Sequence, residues 1–557
     1  MSYSPDNALI IQSDRTVLLD VHAANAERAQ VAIAPFAELV KSPEHIHTYQ
    51  LSPLSIWNAR AAGMAVTDMV AALEDNAKYP MPDSVAQELE TMGQRYGLTV
   101  LRQHREKGLV LLLADAALGE QLQRHEQVAP LLGERFSDTE FAIALAHRGS
   151  LKQALLVAGY PAEDLAGYVT GDALTLTLRE KTISGQPFSL RSYQQKAADL
   201  FYQSGHAKGG SGVIVLPCGA GKTMVGMATM AAIQQHTLIL TSNLTSVRQW
   251  RRELLDKTSL TEDHIAEYSG DHKATGPVTL ATYQILTYRA HKDEEFRHLG
   301  LFDQHDWGLI IYDEVHLLPA PVFRITATLQ ARRRLGLTAT LIREDGHEGD
   351  VFALIGPKRY DVPWRDLETQ GFIATAHCTE IRIPQPDDWQ MDYAMAPRRQ
   401  QFRIAAENPR KLNVVKTLLE KEAGHRILII GEYISQLKAI AATVKFPLIT
   451  GKTSQTEREK IYGAFRQGEF SGLVLSRVGN FALDLPDADV LIQVSGKYGS
   501  RQEEAQRLGR ILRPKQTGNN AQFYTLVSSR TCEEDFAQHR QLFLTEQGYR
   551  YQIKVLT

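Results

Sequence analysis

The feature that most constrains the fold is a repeated pattern of short apolar runs separated by helical segments. One series starts near Gly212 and comprises GVIVLP, TLILTS, VTLAT, GLIIYDE and RLGLTA; another starts near Arg426 and comprises RILIIG, FPLIT, GLVLS, DVLIQV and QFYTLV. Such runs, bounded by Gly, Thr and Asp, are typical of buried parallel strands joined by crossover helices. The sequence therefore predicts two tandem doubly wound α/β domains.

The segment before these series predicts a smaller α+β region. Apolar residues recur at helical spacing over 51–73 and 138–159, while LTVLRQ and GLVLLLA between them are strand-like. Residues 1–180 carry 14 basic and 23 acidic residues, a net charge of −9, which leaves +6 for residues 181–557. This asymmetry predicts different partners for the two parts of the chain.

No apolar run approaches the roughly 20 residues that a membrane-spanning helix needs. The first residues also lack the basic-then-apolar order of a signal peptide. The three cysteines, Cys218, Cys378 and Cys532, have no paired spacing, so neither a disulfide framework nor a cysteine-based zinc site is indicated. We expect a protein that is either cytoplasmic and associated with the nucleoid, or nuclear. It should not be secreted and should have no membrane partner.

Two strings predict a site for ATP and Mg²⁺. In LPCGAGKT, residues 216–223, the turn through Gly219, Ala220 and Gly221 can direct backbone N–H groups at phosphates. Lys222 would contact the β- and γ-phosphates, and the Thr223 hydroxyl would bind Mg²⁺. In IIYDEVH, Asp313 is the expected magnesium partner and Glu314 the group that polarises the attacking water.

A third string, QRLGRILR at 506–513, supplies further cations. Arg510 and Arg513 lie three residues apart, so a helical segment would put both guanidiniums on one side, suited to reach a γ-phosphate. The hydroxyls of Thr338 and Thr340, in LGLTAT, could link the nucleotide site to the second domain. These strings predict a motor in which two domains close on ATP.

Longer strings extend the pattern over most of residues 186–557. They are SLRSYQQKA, SGVIVLPCGAGKT, SVRQW, the DEVH box, RLGLTATLIRED, GPKRY, TSQTERE, SRVGNFALDLPDADVLIQVS and SRQEEAQRLGRILRPK. YQLSPLSIWNARAAGM and YPMPDSVAQEL add a match near the start of the chain. Together they resemble the XPB family of superfamily 2 DNA helicases in its short bacterial or archaeal form.

The resemblance implies a domain order. An N-terminal domain would cover 1–128, and a damage-recognition-like or linker domain 129–185. Two RecA-like helicase domains would cover 186–365 and 411–557. Residues 385–410 lie where the family carries a thumb insertion; the residues alone are compatible with a linker or a small helix pair.

The resemblance also implies roles for single residues. Arg191 and Gln194 would contact adenine, and Asp484, Gln506, Arg510 and Arg513 would complete the nucleotide site. His316, Thr338 and Thr340 would couple hydrolysis to DNA, and Arg343, Glu344 and Asp345 would separate the strands. Contacts with DNA phosphates are expected from Arg248, Thr282, Arg477, Arg398 and Arg399.

The function implied is an ATP-dependent 3′-to-5′ DNA helicase or double-stranded DNA translocase of DNA repair, such as nucleotide excision repair, or of transcription. Its substrate would be single-stranded, forked or duplex DNA, with little sequence preference. A repair nuclease or a transcription factor is a possible protein partner. Two alternatives stay open at this point: an ATP-gated DNA clamp that recruits a nuclease through its acidic N-terminal part, and an RNA helicase or restriction-type translocase.

Overall fold

The structure is a computed structural model of the 557-residue chain. It describes residues 3–42, 45–217, 219–270, 272–289, 297–330, 332–341, 346–362, 364–476, 488–496, 504, 507–509, 511–512, 520–549 and 551–556.

The chain begins with a small sheet covered by helices. Its elements are β1 (Leu9–Ile11), β2 (Thr16–Asp20), α1 (Ala26–Ile33), β3 (Glu38–Lys41), β4 (Ile46–Gln50), α2 (Pro53–Ala61), α3 (Val66–Asn76) and α4 (Asp83–Arg95). The sheet order is β1-β2-β4-β3, with β1 and β4 antiparallel to β2. Helix α2 starts where Ser52 Oγ accepts the Ser55 N–H at 3.1 Å and Pro53 occupies the first turn. The helices predicted within 51–73 are therefore confirmed.

A second, five-stranded sheet follows. Its elements are β5 (Thr99–His104), β6 (Gly108–Leu113), α5 (Ala116–Arg124), β7 (Arg135–Ser137), β8 (Glu140–Ala142), α6 (Arg148–Val157) and β9 (Glu163–Leu165). The sheet order is β7-β8-β6-β5-β9. The two strands predicted here, β5 and β6, are confirmed.

Part of the helical prediction for residues 138–159 is wrong. The α-helix begins only at Arg148, after a 3-10 turn over Leu145–His147, whereas Glu140–Ala142 pairs with β6 as a strand, because this pairing buries Phe141 in the core beside Leu111. The proposed boundary at residue 128 falls between strands of this one sheet, since β5 and β6 precede it and β7, β8 and β9 follow it.

The first predicted α/β domain forms a seven-stranded parallel sheet. Its elements are α7 (Ser192–Tyr202), β10 (Ser211–Val215), α8 (Lys222–Ile233), β11 (Thr237–Thr241), α9 (Leu244–Lys257), β12 (Ile265–Tyr268), β13 (Val278–Thr282), α10 (Tyr283–Leu286), β14 (Leu309–Asp313), α11 (Ala320–Thr328), β15 (Arg333–Thr338), α12 (Glu348–Asp350) and β16 (Lys358–Asp361). The order is β12-β13-β11-β14-β15-β10-β16. All five predicted strands are present, and their apolar residues are buried on both faces, as expected for a parallel sheet covered by helices.

The second α/β domain has a similar sheet. Its elements are α13 (Trp364–Thr369), β17 (Thr375–Ile383), α14 (Asp387–Met395), α15 (Arg398–Ala406), α16 (Arg410–Lys421), β18 (Ile427–Ile430), α17 (Ile434–Val444), β19 (Leu448–Ile449), α18 (Gln455–Gln467), β20 (Gly472–Leu475), β21 (Val490–Gln493), β22 (Asn520–Ser528), α19 (Cys532–Glu546) and β23 (Tyr551–Val555). The order is β19-β20-β18-β21-β22-β17-β23. The five predicted strands are confirmed, and Ser454 caps α18 by accepting the Glu457 N–H at 3.3 Å.

Residues 385–410 form a helix pair rather than an unstructured linker. Helices α14 and α15 pack against each other, and Phe402 of α15 is buried against Phe536, with ring centroids 5.3 Å apart. The predicted helix pair is thus confirmed, while its role as a thumb stays a prediction.

The chain divides into two compact units. The first comprises residues up to Asp361 except 39–43 and 217–220, which are grouped with Val362–Thr557 in the second. Within the first unit, the N-terminal sheets pack directly on the seven-stranded domain. A Cβ at Gly149 of α6 would lie 2.3 Å from the Ala327 carbonyl, and Gln153 donates to Asp350 Oδ1 at 2.7 Å.

A buried charge cluster lies in the same packed region. Arg148 donates to both oxygens of Asp164, at 2.7 and 3.0 Å, and Lys152 Nζ lies 3.1 Å from Asp164 Oδ2. Burial opposes charge on these side chains, and it lowers the pKa of Lys152 to about 7.

No helix in the described ranges is long and apolar enough to cross a membrane.

Candidate functional site

The phosphate loop connects β10 to α8. Gly219 and Gly221 both have φ of +85°, a conformation that favours glycine, and α8 begins at Lys222. A Cβ at Gly221 would lie 2.4 Å from Gln194 Nε2, so a larger residue would displace that side chain. The loop therefore presents the N-terminus of a twelve-residue helix, where backbone N–H groups favour an anion.

The acidic pair lies at the carboxyl end of β14. Lys222 Nζ is 2.9 Å from Glu314 Oε1, which brings two of the predicted catalytic groups together. Asp313 Oδ2 accepts a hydrogen bond from Trp250 Nε1 at 3.0 Å, and the Asp313 carbonyl accepts one from the Tyr283 hydroxyl at 3.0 Å. Glu314 itself has φ of +54°, a rare left-handed conformation for this residue type.

The electrostatics of this pair favour a cation. Burial and the neighbouring Glu314 raise the pKa of Asp313 to about 6, whereas Lys222 and the Trp250 hydrogen bond lower it. Two adjacent, largely buried carboxylates repel each other, and a bound divalent ion would relieve that repulsion. Together with the Thr223 hydroxyl in the first turn of α8, they are hard oxygen donors of the kind that Mg²⁺ prefers.

The predicted coupling residues form a buried chain behind Glu314. His316 Nδ1 lies 3.5 Å from Glu314 Oε2 and 2.6 Å from Thr338 Oγ1. The Thr338 hydroxyl donates to the Thr340 carbonyl and accepts the Thr340 N–H. Because its one proton is used in this way, Thr338 Oγ1 accepts from His316 Nδ1, which assigns the proton to that nitrogen.

The predicted adenine-binding residues lie beside the loop. Gln194 is buried, and its Oε1 accepts the Arg191 N–H at 2.9 Å, at the start of α7. Arg191 Nη1 donates to the Tyr193 hydroxyl at 3.2 Å. The two residues thus lie together next to Gly221, while their contact with adenine stays a prediction.

The predicted DNA-binding residues lie on separate elements of the chain. Arg248 on α9 and both Arg398 and Arg399 on α15 are exposed. Thr282 is buried, and its hydroxyl accepts the Ile285 N–H at 3.3 Å as the cap of α10.

Several predicted residues lie outside the described part of the chain. These are Arg343, Glu344, Asp345, Arg477, Asp484, Gln506, Arg510 and Arg513. Their neighbour Arg507 is described and is fully buried, where it donates to Gln493 and pairs with Glu432 at 3.1 Å. Part of the third string therefore stabilises the core of the second unit.

Two residues at the site were missed by sequence reasoning. Trp250 and Tyr283 orient Asp313 through the hydrogen bonds described above. Trp250 closes the string SVRQW, but an indole in a helix gives no sign of which carboxylate it contacts.

We expect Trp250→Phe to lower the rate of ATP hydrolysis by about 10-fold and to raise the Mg²⁺ concentration needed for half-maximal rate, because Asp313 loses the partner that orients it. Steady-state ATPase assays over a magnesium series measure both effects. Trp307→Phe is the matched control, since it also removes a buried indole hydrogen bond but at Leu301. An unchanged magnesium dependence in Trp250→Phe would contradict the positioning role.

Known protein families match three parts of the chain. A family described as ERCC3/RAD25/XPB C-terminal helicase matches residues 367–557, one described as type III restriction enzyme, res subunit, matches 187–343, and one described as helicase conserved C-terminal domain matches 9–137.

The relatives are similar over almost the whole chain. "DNA 3'-5' helicase XPB" of Kineococcus radiotolerans is 53% identical over 98% of this chain and 96% of its own length. The protein of the same name from Mycobacterium tuberculosis is 52% identical over 99% and 98%. The "General transcription and DNA repair factor IIH helicase/translocase subunit XPB" of Enterocytozoon bieneusi is 31% identical over 98% and 92%.

Two parallel-sheet domains, a phosphate loop with a nearby acidic pair, and the matching helicase families and relatives define an ATP-dependent DNA helicase of superfamily 2. The sequence identities with the relatives show which family of this class the chain belongs to. The chain belongs to the XPB family, as the resemblance implied.

Proposed function

We propose that this chain is an ATP-dependent 3′-to-5′ DNA helicase, or a double-stranded DNA translocase, that acts in DNA repair or transcription. The names of its relatives support the DNA substrate, the direction and the repair or transcription role. Acting on DNA implies a location at the nucleoid or in the nucleus.

One observation carries the mechanism: Glu314 lies between Lys222 on one side and the buried His316–Thr338 contact on the other. A change at the γ-phosphate can therefore reach the end of β15 through direct contacts. Residues 341–345 follow directly in the chain and contain Arg343, Glu344 and Asp345, to which we assign strand separation.

In this proposal, ATP takes Lys222 away from Glu314. The β- and γ-phosphates bind the Lys222 ammonium and the N–H groups of the loop from Gly219 to Gly221. Glu314, released from that ion pair, orients the attacking water and accepts its proton. Mg²⁺, when held by Thr223 and Asp313, neutralises charge on the phosphates. Arg191 and Gln194 bind adenine.

The remaining roles rest on the sequence motifs. Asp484, Gln506, Arg510 and Arg513 would act on the nucleotide from the second domain. Arg248, Thr282, Arg477, Arg398 and Arg399 would contact DNA phosphates. Contacts of this kind carry little sequence information, so the DNA sequence should matter less than its form.

The proposal is tested by the ATPase rate with single-stranded DNA, duplex, forked DNA and RNA compared side by side, together with displacement of a strand from 3′- and 5′-tailed duplexes. We expect DNA to stimulate hydrolysis and the 3′-tailed duplex to be unwound. Stimulation by RNA alone would replace this proposal by an RNA helicase. DNA-stimulated hydrolysis without displacement or translocation would favour an ATP-gated clamp that recruits a nuclease.

We expect Thr338→Val to lower the ratio of DNA-stimulated to basal ATPase rate by about 10-fold, because valine keeps the shape but removes the hydroxyl that joins His316 to Thr340. Thr326→Val is the control: Thr326 is equally buried in the same domain and contacts Tyr312 instead. An unchanged ratio in Thr338→Val would remove the coupling role from this chain of contacts.

A further inference from the structure

A cluster of Asp172, His236 and His305 lies away from the ATP site. Each side chain offers one ligand atom, and these atoms all lie within 4.8 Å of one another. His236 directly precedes β11, and His305 lies shortly before β14, so both are at the amino-terminal edge of the seven-stranded sheet. The ATP site is at the carboxyl ends of the strands, about 15 Å away along a five-residue strand.

Two nitrogen atoms in this cluster have unsatisfied hydrogen-bonding capacity. His236 Nδ1 and His305 Nε2 are both buried and have no hydrogen-bond partner among the described residues. His236 Nδ1 lies 3.7 Å from Asp172 Oδ2, too far for a hydrogen bond. Buried polar atoms are nearly always paired, so unpaired imidazole nitrogens beside a carboxylate indicate a missing partner.

The separation of the ligand atoms suits a metal ion. With metal–ligand distances of about 2.0–2.2 Å, two ligands of a tetrahedral ion lie roughly 3.3 Å apart. The observed 3.7 Å between His236 and Asp172 needs only a small side-chain rotation to reach that value. The Asp172 side chain is 52% exposed, which leaves a fourth position open to water.

The backbone around the cluster is held in place without an ion. Asp172 N–H donates to the Asp306 carbonyl at 2.8 Å, His236 N–H donates to the Asp172 carbonyl at 2.8 Å, and Gly308 N–H donates to the His236 carbonyl at 3.0 Å. At Gly171, a Cβ would lie 2.2 Å from Gly308 N, so the segments approach as closely as glycine allows. The backbone segments that carry the three ligands are therefore held close together.

The charges nearby do not exclude a cation. The Arg332 guanidinium, at the same edge, is neutralised by Asp306 at 2.8 Å. His305 is also packed edge-on against Trp307, with ring centroids 5.0 Å apart, which limits its rotation.

We propose that Asp172, His236 and His305 bind a divalent transition-metal ion, with Zn²⁺ as the expected ion. Two imidazoles and one carboxylate form a donor set that Zn²⁺ accepts and that Mg²⁺ does not favour. Asp172 belongs to the segment after β9, which follows the surface of the first α/β domain through pairings such as Ala173 with Gln235 and Leu178 with Thr258. The ion would fasten this segment to the sheet and so join the N-terminal region to the motor.

The test is a Zn²⁺ titration of the full chain, without an affinity tag, after chelation and dialysis. We expect one Zn²⁺ per chain and binding at least about 100-fold weaker in His236→Gln and in His305→Gln, because each removes a ligand. His22→Gln is the control: it removes a histidine of the exposed His22–His45 pair, whose nitrogens already contact each other at 2.9 Å. Binding in this control should equal that of the unaltered chain.

Two further measurements guard against a folding defect. Asp172→Asn alters an exposed ligand and should also weaken Zn²⁺ binding, and Co²⁺ in the unaltered chain should show the intense visible absorption of a tetrahedral site. Hydrogen exchange of residues 166–174 should slow when Zn²⁺ is added. The proposal is overturned if the unaltered chain binds no stoichiometric Zn²⁺, or if all three ligand variants bind it as tightly as the control.

Discussion

Replacing Glu314 by Gln is expected to lower the rate of ATP hydrolysis by at least about 100-fold while ATP still binds, because the water loses its general base. The amide keeps an oxygen acceptor near Lys222 Nζ, now 2.9 Å from the carboxylate, so the phosphate loop should stay intact. Single-turnover hydrolysis separates this chemical effect from binding. Lys222→Ala should differ, since it removes a phosphate ligand and so weakens ATP binding as well as hydrolysis.

Glu253→Gln provides the matched control. Glu253 belongs to the same domain, contacts Lys257 one helical turn away and lies on α9 rather than at the acidic pair. It should hydrolyse ATP at the unaltered rate. If Glu314→Gln retained most of the activity, the base would have to be another residue, and the proposed release of Glu314 by ATP would be wrong.

Replacing Asp164 by Asn should lower the free energy of unfolding of the first unit by about 3–5 kcal/mol, because Arg148 and Lys152 would be left buried beside a neutral amide. Arg148 and Lys152 are only 3% and 7% exposed, so water cannot replace the lost carboxylate. Hydrogen exchange of peptides within 99–165 reports the loss in this unit separately from the rest of the chain.

The pH dependence of the stability shows whether the charge of Asp164 causes this loss. The cations around Asp164 hold its carboxyl pKa below the usual 3.8 against the opposing effect of burial. The folded state is therefore stabilised above pH 3.8, and this contribution is lost as the pH falls through the lower folded value. The difference in the free energy of unfolding between Asp164→Asn and the unaltered chain should therefore become smaller as the pH falls. Asp138→Asn, at an exposed pair with Arg135, should change the stability little at any pH.

The predicted strands contain short apolar runs, whereas several strands without such a run were not predicted. The apolar runs that form β10, β11, β14 and β18 are buried on both faces, so their composition alone indicates that they are buried strands. By contrast, β12, β16 and β23 carry polar residues, and β17 (TAHCTEIRI) has no continuous apolar run although it pairs with β22 over nine residues. Pairing partners far along the chain, not local composition, decide such strands.

The helical pattern before α6 failed for a related reason. Phe141 and Leu145 lie four residues apart, which suits a helix, but Ile143 between them completes the two-residue alternation of a strand, and Phe141 reaches the core when residues 140–142 lie beside β6. A local periodicity states which residues are apolar without saying which surface will cover them. That surface is supplied by another part of the chain.

For the proposed ATP site, the sequence alone predicted the chemistry: Lys222 and Thr223 follow one predicted parallel strand through a short loop, Asp313 and Glu314 end another, and the carboxyl ends of such strands meet at one edge. Only the tertiary structure decided which neighbours orient them, such as Trp250 and Tyr283 at Asp313 and His316 between Glu314 and Thr338. It also brought Asp172, His236 and His305 together, although no motif joins them. A sequence motif contains functional residues that lie close together along the chain. Contacts between residues of distant segments exist only once the sheet has formed.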